Sequence, residues 1–213
     1  MDLIRLVINK KMDYFTIDVD ISYGGGILVI QGESGAGKTT LLECIAGLKN
    51  PDKGRISIGD RLLYSSEANI NIPVKERNIG YLFQSYALFP HMSVMNNVLY
   101  GLKSRKIKDT AYAEKILDSF GIKHIKDKLP SNISGGEKQR TALARAIATK
   151  PSLLLLDEPF SALDTDTKTI VYEEFISFKR NFNMDAILIT HDEKEAKLLG
   201  DSIILLKEGK VIG

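Results

Sequence analysis

The feature that most constrains this chain is a glycine-rich segment that lies between a short apolar run and a helical pattern. Residues 27–30, I-L-V-I, form the continuous apolar run that is typical of a strand buried on both faces. Residues 32–39 read G-E-S-G-A-G-K-T, and residues 39–48 have the pattern of a helix. A strand, a glycine-rich loop and a helix in this order indicate an α/β fold with a parallel sheet.

The glycine-rich segment matches the phosphate-binding pattern G-x-x-x-x-G-K-[ST] at every fixed position. Its glycines let successive backbone N–H groups converge on phosphate oxygens, and the helix N-terminus adds partial positive charge there. We expect ATP as the ligand, with Lys38 reaching the β- and γ-phosphates and the Thr39 hydroxyl binding Mg²⁺. The flanking strand and helix disfavour a glycine-rich turn that matches by chance. The predicted nucleotide-binding residues are Gly32, Glu33, Ser34, Gly35, Ala36, Gly37, Lys38, Thr39 and Thr40.

Composition narrows the class of protein. The 29 Lys and Arg against 27 Asp and Glu leave a net charge of +2, which gives no reason to expect a nucleic-acid partner. A single cysteine, Cys44, excludes an internal disulfide and fits a reducing cytoplasm, so we interpret it as a packing residue. No apolar run approaches the roughly 20 residues of a membrane-spanning helix, so a role at a membrane would need another chain.

The pattern along the chain predicts one domain with a helical insertion. Residues 1–84 and 151–213 are predicted to form an α/β core with an antiparallel β subdomain, and residues 85–150 a helical subdomain. Strands are expected within the first 30 residues and at 55–64 (a hairpin), 78–83, 153–156, 186–190 and 202–206. Helices are expected at 39–48, 93–102, 109–120, 136–149 and 167–182.

A second candidate site lies where the four leucines at 153–156 are followed by Asp157 and Glu158. Ligands of parallel α/β sheets bind beyond the carboxyl ends of the strands. We therefore expect Asp157 to hold the magnesium shell and Glu158 to polarise a water for attack on the γ-phosphorus. Taken alone, the same pattern also fits a solvated strand end.

Residues 133–140, I-S-G-G-E-K-Q-R, open an alanine-rich helix. Ser134 and Glu137 have the spacing of a capping box, and a start with two glycines can bind an anion. In isolation the segment fits a simple capped helix. Together with the loop and the acidic strand end, it resembles the ATP-binding cassette (ABC) family, whose motifs occur in this order over essentially all 213 residues.

The resemblance, which implies the P-loop NTPase fold of ABC cassettes, assigns a role to each motif. Residues 32–39 match Walker A, Gln84 the Q-loop, 133–137 the signature, Asp157 and Glu158 Walker B with its catalytic glutamate, 161–164 the D-loop, and His191 the switch histidine. It implies that Gln84 contacts the magnesium or the attacking water and that His191 hydrogen-bonds the γ-phosphate. The predicted catalytic residues are thus Glu158, His191, Lys38 and Gln84, and the predicted magnesium ligands Thr39, Gln84 and Asp157.

The resemblance also implies a head-to-tail homodimer with two ATP molecules in its interface. Ser134 and Gly136 of one copy would complete the γ-phosphate site of the other, and Asp164 would lie at the seam. The signature departs from the family pattern at Ile133, which replaces leucine, and at Glu137, which replaces glutamine. The second change resembles a variant common among importer cassettes, so an active ATPase is still expected.

The aromatic residue that stacks on adenine in this family is expected at Tyr14, although Phe15 lies beside it and fits the strand alternation as ordinary core. His91, in the insertion, and His124, in a lysine-rich stretch, are assigned no catalytic role.

The run L-F-P-H at 88–91 and residues 134–140 look like bacterial importers of oxyanions, metals, polyamines and sugars, with molybdate or tungstate importers closest and sulfate importers next. The resemblance implies a peripheral subunit on the cytoplasmic face of the membrane, bound to permease subunits and served indirectly by a solute-binding protein. The apolar segment 86–94 would take a permease helix, or simply be core. Because the sequence stops at residue 213, we expect no regulatory domain that senses solute. A cell-division or lipoprotein-release ATPase and a soluble ABC ATPase of ribosomes or DNA remain as alternatives.

Overall fold

The computed structural model describes residues 4–104, 109–161, 163, 165–182 and 185–212. The strands are β1 (Ile4–Lys11), β2 (Thr16–Tyr23), β3 (Ile27–Gln31), β4 (Lys53–Ile58), β5 (Arg61–Ser65), β6 (Ile70–Asn71), β7 (Ile79–Leu82), β8 (Leu153–Asp157), β9 (Ala186–Ile189), β10 (Ser202–Lys207) and β11 (Lys210–Val211). The helices are α1 (Lys38–Ala46), α2 (Val94–Ser104), α3 (Thr110–Ser119), α4 (Gly135–Ala148), α5 (Thr165–Phe182) and α6 (Glu193–Leu199). None of these helices combines the length and the apolar composition that crossing a bilayer requires.

The strands form two sheets of different kinds. The first is antiparallel, in the order β2-β1-β4-β5-β6, and β2 alternates strictly between exposed and buried residues. The second has the order β11-β10-β3-β9-β8-β7, and its strands are parallel except for β11. The fold is therefore the mixed α/β architecture that the motif order predicted, with an antiparallel sheet beside a parallel one.

The central strands of the parallel sheet are buried on both faces, as their unbroken apolar sequence requires. In β3, Ile27 and Val29 pack on the side that carries α2 to α6. Leu28 and Ile30 pack on the opposite side, against α1 and the antiparallel sheet. The parallel sheet therefore lies between two hydrophobic cores and contributes residues to both.

The segments expected as helices and strands are confirmed in kind, with ends that differ by a few residues. Three elements were not predicted: the short helix α6 and the two-residue strands β6 and β11. Such short segments carry too few residues for a periodic pattern, and their partners are distant in sequence. The three predicted helices α2, α3 and α4 lie between β7 and β8 in the chain.

The loop between β3 and α1 packs closely against β10 and the turn that follows it. Gly32 has a φ of 153°, and a Cβ added there would come 2.2 Å from the carbonyl oxygen of Leu206 in β10. The turn after β10 also holds the loop, because Gly209 N donates to Ala36 O at 3.1 Å. Gly209 O accepts from Asp18 N of β2 at 2.8 Å. This turn thus joins the glycine-rich loop to the antiparallel sheet.

The far end of α1 is held by a completely buried arginine. Arg77 is 0% exposed and donates to Cys44 O, Ile45 O and Ile72 O, and to the Oδ1 of Asn71. Burial lowers the pKa of Arg77. The carbonyls at the end of a helix carry partial negative charge, so a cation there is favourable. Arg77 therefore anchors the helix that follows the glycine-rich loop to the segment before β7.

Replacement of Arg77 should destabilise the fold. We expect Arg77→Ala to lower the free energy of unfolding by about 3 kcal/mol, because it leaves a cavity and several buried carbonyls without a donor. Urea unfolding followed by circular dichroism would measure this. Arg55→Ala, at an exposed position of β4, is the control and should change stability by less than about 0.5 kcal/mol. Equal effects of the two substitutions would contradict the anchoring role.

Two glycines of the loop offer a matched pair of substitutions. Gly35 has a φ of 84° but open space around it, so Gly35→Ala should cost only about 1–2 kcal/mol of backbone strain. Gly32→Ala must in addition displace the backbone of β10, and we expect a loss of about 3 kcal/mol or more. Thermal unfolding of both variants under one condition would compare them. The same midpoint for both would show that Gly32 is not constrained by β10.

Candidate functional site

The parallel register brings four chain segments to one edge of the sheet. Ile30 of β3 pairs with Ile189 of β9, which pairs with Asp157 of β8, and Leu156 pairs with Leu82 of β7. The residues that follow these strands are the glycine-rich loop, His191, Glu158 and Gln84. Segments that are far apart in sequence therefore meet beyond the strand ends, where ligands of such sheets bind.

The loop ends in a helix start that has no side-chain cap. Gly37 occupies the N-cap position with a φ of 101°, and because glycine has no side chain it makes no side-chain cap for the first N–H groups of α1. These donors and the positive end of the helix are suited to an anion. Lys38 is buried, and its Nζ donates to Gly32 O and Glu33 O, both at 2.8 Å. The lysine is thus held within the loop by the loop's own carbonyls.

A pair of oxygen ligands lies beside the loop. The Thr39 hydroxyl donates to Oδ1 of Asp157 at 3.3 Å, and Asp157 is buried. Burial raises the pKa of Asp157, the Thr39 hydrogen bond lowers it, and the charges of Glu158 and Glu43 raise it further. A hydroxyl and a carboxylate are oxygen ligands of the kind Mg²⁺ prefers, and a cation here would compensate the crowded negative charge. The residues present therefore fit a magnesium ion.

Tyr81 of β7 was not predicted at this site. Its hydroxyl is buried, and burial together with the charge of Asp157 raises the pKa of Tyr81 well above its usual value. The hydroxyl therefore remains protonated next to the Asp157 carboxylate. No sequence pattern indicates this role, because Tyr81 has the appearance of an ordinary aromatic residue of a strand.

Glu158 lies between the two residues that were assigned to act with it. Its Oε2 accepts from Nε2 of Gln84 at 3.1 Å, and its Oε1 lies 3.5 Å from Nδ1 of His191. Its backbone has a φ of 46°, an uncommon conformation for a residue with a side chain. Glu158 N donates to Ile189 O, and its carbonyl accepts from the Ser161 hydroxyl. Backbone contacts on both sides thus fix the direction of the carboxylate.

These groups surround a cleft of about 310 Å³. It is lined by Met12, Ser34, Gly35, Gly37, Lys38, Thr39, Thr40, Gln84, Asp157 and Glu158. Met12 was not predicted; it precedes β2 and reaches the site only because the antiparallel sheet packs against α1. The cavity is therefore lined by the three predicted magnesium ligands, by three of the four predicted catalytic residues and by six of the nine nucleotide-binding residues of the glycine-rich segment. Gly32, Glu33, Ala36 and His191 are not among its lining residues.

Ser134 and Gly136 lie elsewhere. Ser134 is the exposed N-cap of α4, and its hydroxyl accepts from Glu137 N while the Glu137 carboxylate accepts from Ser134 N at 2.7 Å. The Glu137 carboxylate accepts from both the backbone N–H and the hydroxyl of Ser134, and these two hydrogen bonds lower the pKa of Glu137. Neither Ser134 nor Gly136 is among the residues that line the cleft. The helix start is therefore well ordered, and it does not contribute to the cleft of its own chain.

The remaining predicted residues are placed as follows. Tyr14 is 97% exposed, whereas Phe15 is half-buried, and a Cβ at Gly37 would lie 3.3 Å from its ring. The ring of His91 lies 6.2 Å from that of Phe89 between centroids and is tilted by 58° to it. His124 approaches the Glu137 carboxylate at 3.7 Å. Asp164 lies outside the described residues.

Sequence reasoning also missed how the loop after Gln84 is held. Tyr86 and Ala87 both have positive φ, 60° and 44°, and their carbonyls accept from the guanidinium of Arg145 in α4 at 2.8 and 2.7 Å. Asn97 of α2 is 0% exposed and accepts from Phe89 N at 2.9 Å. The helix that begins at the signature is therefore joined directly to this loop. No local sequence pattern indicates the contact between Arg145 and Ala87, which lie 58 residues apart in the chain.

Comparison with known proteins identifies the family of this chain. The family model described as ABC transporter matches residues 15–161. The molybdenum import ATP-binding protein ModC of Vibrio parahaemolyticus is 41% identical over 98% of this chain and 56% of its own length. The iron(III) import ATP-binding protein FbpC of Haemophilus influenzae is 39% identical over 96% of this chain and 60% of its own length. The chain thus spans somewhat more than half of these relatives.

A solved structure has the same architecture. The dimeric structure of a post-hydrolysis state of the ATP-binding cassette MJ0796, bound to ADP and Pi, superposes with a TM-score of 0.81 at 27% identity. It covers 99% of this chain and 97% of its own. Because the family match extends over more than half of the residues and the relatives exceed 30% identity over nearly all of them, this chain belongs to the ABC transporter family, as one of its ATP-binding cassettes.

Proposed function

We propose that this chain binds ATP with Mg²⁺ and hydrolyses it as the ATP-binding subunit of an ABC importer. The observation that carries the ATPase is the position of Glu158, whose carboxylate lies in the cleft within reach of Gln84 and His191. A carboxylate fixed in this way is placed to take a proton from a water molecule. Relatives that are named as import ATP-binding proteins support the same assignment.

The residues of the cleft divide the work of hydrolysis. The backbone N–H groups of the loop bind the phosphates, and Lys38 exchanges its bonds to loop carbonyls for phosphate oxygens. Thr39, Asp157 and Gln84 would hold Mg²⁺, which would neutralise part of the phosphate charge. Glu158 orients and deprotonates the attacking water, while His191 hydrogen-bonds the γ-phosphate. Such pre-placed charges stabilise the transition state without further rearrangement.

The active assembly is proposed to be a head-to-tail homodimer. Ser134 and Gly136 start an ordered, exposed helix outside the cleft of their own chain, so they are free to approach the cleft of a second copy. The related cassette MJ0796 is dimeric in its complex with ADP and Pi. Two ATP molecules in such an interface would be bound by both copies, so that ATP stabilises the closed dimer and hydrolysis favours its opening.

The segment at residues 86–94 is the proposed docking site for a permease. Arg145 and Asn97 hold its backbone, and the Phe89 ring packs on the half-exposed ring of Tyr100 at 4.5 Å between centroids. An aromatic surface on a rigid backbone suits a helix from a membrane subunit. This partner would place the chain on the cytoplasmic face of the membrane, with a solute-binding protein acting indirectly.

The transported solute is proposed to be an oxyanion such as molybdate, tungstate or sulfate. ModC, named for molybdenum, and FbpC, named for iron, match this chain at 41% and 39% identity, so similarity alone separates the two solutes weakly. The cleft itself binds nucleotide and has no contact with solute. An ATPase of a cell-division or lipoprotein-release complex and a soluble ABC ATPase are the competing functions.

Removal of the base should separate binding from hydrolysis. We expect Glu158→Gln to reduce ATP turnover by at least about 100-fold and to accumulate an ATP-bound dimer, because the amide fills the same space but accepts no proton. Gel filtration with light scattering in ATP and Mg²⁺ would detect the dimer. Lys38→Ala, which loses a phosphate contact, should weaken ATP binding in calorimetry.

The double variant Glu158→Gln with Ser134→Arg tests whether the signature helix closes the dimer. The bulky cation at an exposed helix start should leave ATP binding to the monomer intact and prevent the dimer. A Glu158→Gln protein that stays monomeric in ATP, or a double variant that dimerises fully, would contradict the head-to-tail arrangement.

The docking loop predicts a partner that can be isolated. Tagged protein purified from detergent-solubilised membranes should bring down a polytopic permease, and Arg145→Ala should weaken this association because the carbonyls of Tyr86 and Ala87 lose their donor. Arg55→Ala, on the antiparallel sheet, is the matched control and should leave it unchanged. Isolation with ribosomes in place of a permease would instead favour a soluble ABC ATPase.

A further inference from the structure

We propose that Glu195 is a positioning residue for His191, because its buried carboxylate fixes the turn that carries the histidine and ties that turn to α5. This inference rests on the proposed ATPase function and on the part that His191 plays in it. Glu195 lies in the short helix α6, which sequence analysis did not predict, and no role was assigned to it.

The burial of Glu195 calls for a physical reason. The residue is 2% exposed, and a carboxylate taken out of water is strongly destabilising unless it is paired and hydrogen-bonded. Its Oε1 accepts from Nζ of Lys168 at 2.9 Å and from the hydroxyl of Tyr172 at 2.6 Å, both in α5. Its Oε2 accepts from the hydroxyl of Thr190. The two oxygens therefore bond in two directions, one toward α5 and one toward the residue before His191.

Thr190 passes this constraint on to the backbone around His191. Thr190 is 2% exposed, and because its proton is directed to Glu195, its oxygen accepts from Asp192 N at 3.0 Å. The Asp192 carboxylate in turn accepts from Lys194 N and Glu195 N, which caps α6. Buried hydrogen bonds thus fix the chain on both sides of His191.

His191 depends on this support because its own ring is poorly enclosed. Its side chain is 66% exposed, and Nδ1 lies 3.5 Å from Glu158. Packing therefore does little to orient the ring, and its position relative to Glu158 is set by the backbone from which it projects. A small shift of that backbone is enough to lower the rate, since misplacement by about 1 Å can cost about 100-fold.

The protonation of the network favours the same direction of hydrogen bonding. Burial and the Glu195 hydrogen bond raise the pKa of Tyr172 far above its usual value, so its hydroxyl remains a donor. Lys168 also approaches Asp192, at 3.7 Å. Lys168 of α5 therefore pairs with both Asp192 and Glu195, and these contacts link α5 to the turn.

The test uses substitutions that break one link at a time. Thr190→Val keeps the shape of the side chain and removes its hydroxyl, whereas Thr190→Ser keeps the hydroxyl. Tyr172→Phe removes a bond from the same carboxylate on the side away from His191. Glu195→Gln also disrupts the network. The NH₂ group of the new amide would face one of the N–H or O–H groups that now donate to the carboxylate, so that one hydrogen bond is lost.

Steady-state ATP hydrolysis is measured against ATP concentration for these variants, with thermal unfolding of each. We expect Thr190→Val and Glu195→Gln to lower kcat by about 10- to 100-fold with KM within about twofold of the unsubstituted protein. Thr190→Ser and Tyr172→Phe should keep kcat within about twofold. Adding Thr190→Val or Glu195→Gln to His191→Ala should lower kcat no further than His191→Ala does alone, because the histidine that they position is gone.

Full kcat in folded Thr190→Val and Glu195→Gln, or losses that multiply with His191→Ala, would overturn the positioning role and leave a purely structural one. That result is distinct from failure of the proposed function. If His191→Ala itself kept full kcat, the catalytic part of His191 would fail, and this inference with it; if His191→Ala were inactive and Thr190→Val fully active, only this inference would fail.

Discussion

The alignment of the parallel strands is the constraint on which the rest of this structure depends. β3, β9, β8 and β7 run side by side in one direction, so their carboxyl ends share one edge of the sheet. Strands buried on both faces fix this register strongly, because a slip of one residue would exchange the two hydrophobic cores. The position of the cleft is thus a consequence of core packing. The packing of the apolar strand residues determines where the polar residues that follow the strands are placed.

Much of the fold and of the candidate site was predictable from sequence, and for a local reason. The glycine-rich loop and the run L-L-L-L-D-E carry both their structure and their chemistry in contiguous residues. Gln84 and His191 are different: each is a single polar residue after a strand, and only the family's motif order assigned them. The structure brings both within 3.5 Å of Glu158. The dimer contacts of Ser134 and Gly136 stay a prediction.

What sequence reasoning missed is held by contacts between distant residues. Arg77 reaches the end of α1, Arg145 the loop after Gln84, and Glu195 the helix α5. Arg77 and Glu195 are buried and Arg145 is partly buried, although all three look like surface residues in the sequence, and their partners are backbone carbonyls or side chains on other elements. Such pairings have no periodicity or spacing along the chain. Their common effect is to hold segments that would otherwise be free beside the cleft.

The contacts made by the turn at Gly209 affect the order in which parts of the molecule can fold. It hydrogen-bonds Ala36 in the glycine-rich loop and Asp18 in β2, and Leu206 fills the space behind Gly32. During synthesis residues 206–209 leave the ribosome about 170 residues after the loop that they support. Until then the loop has no backing on that side. The glycine-rich loop therefore acquires its final shape only after a segment about 170 residues further along the chain has been made.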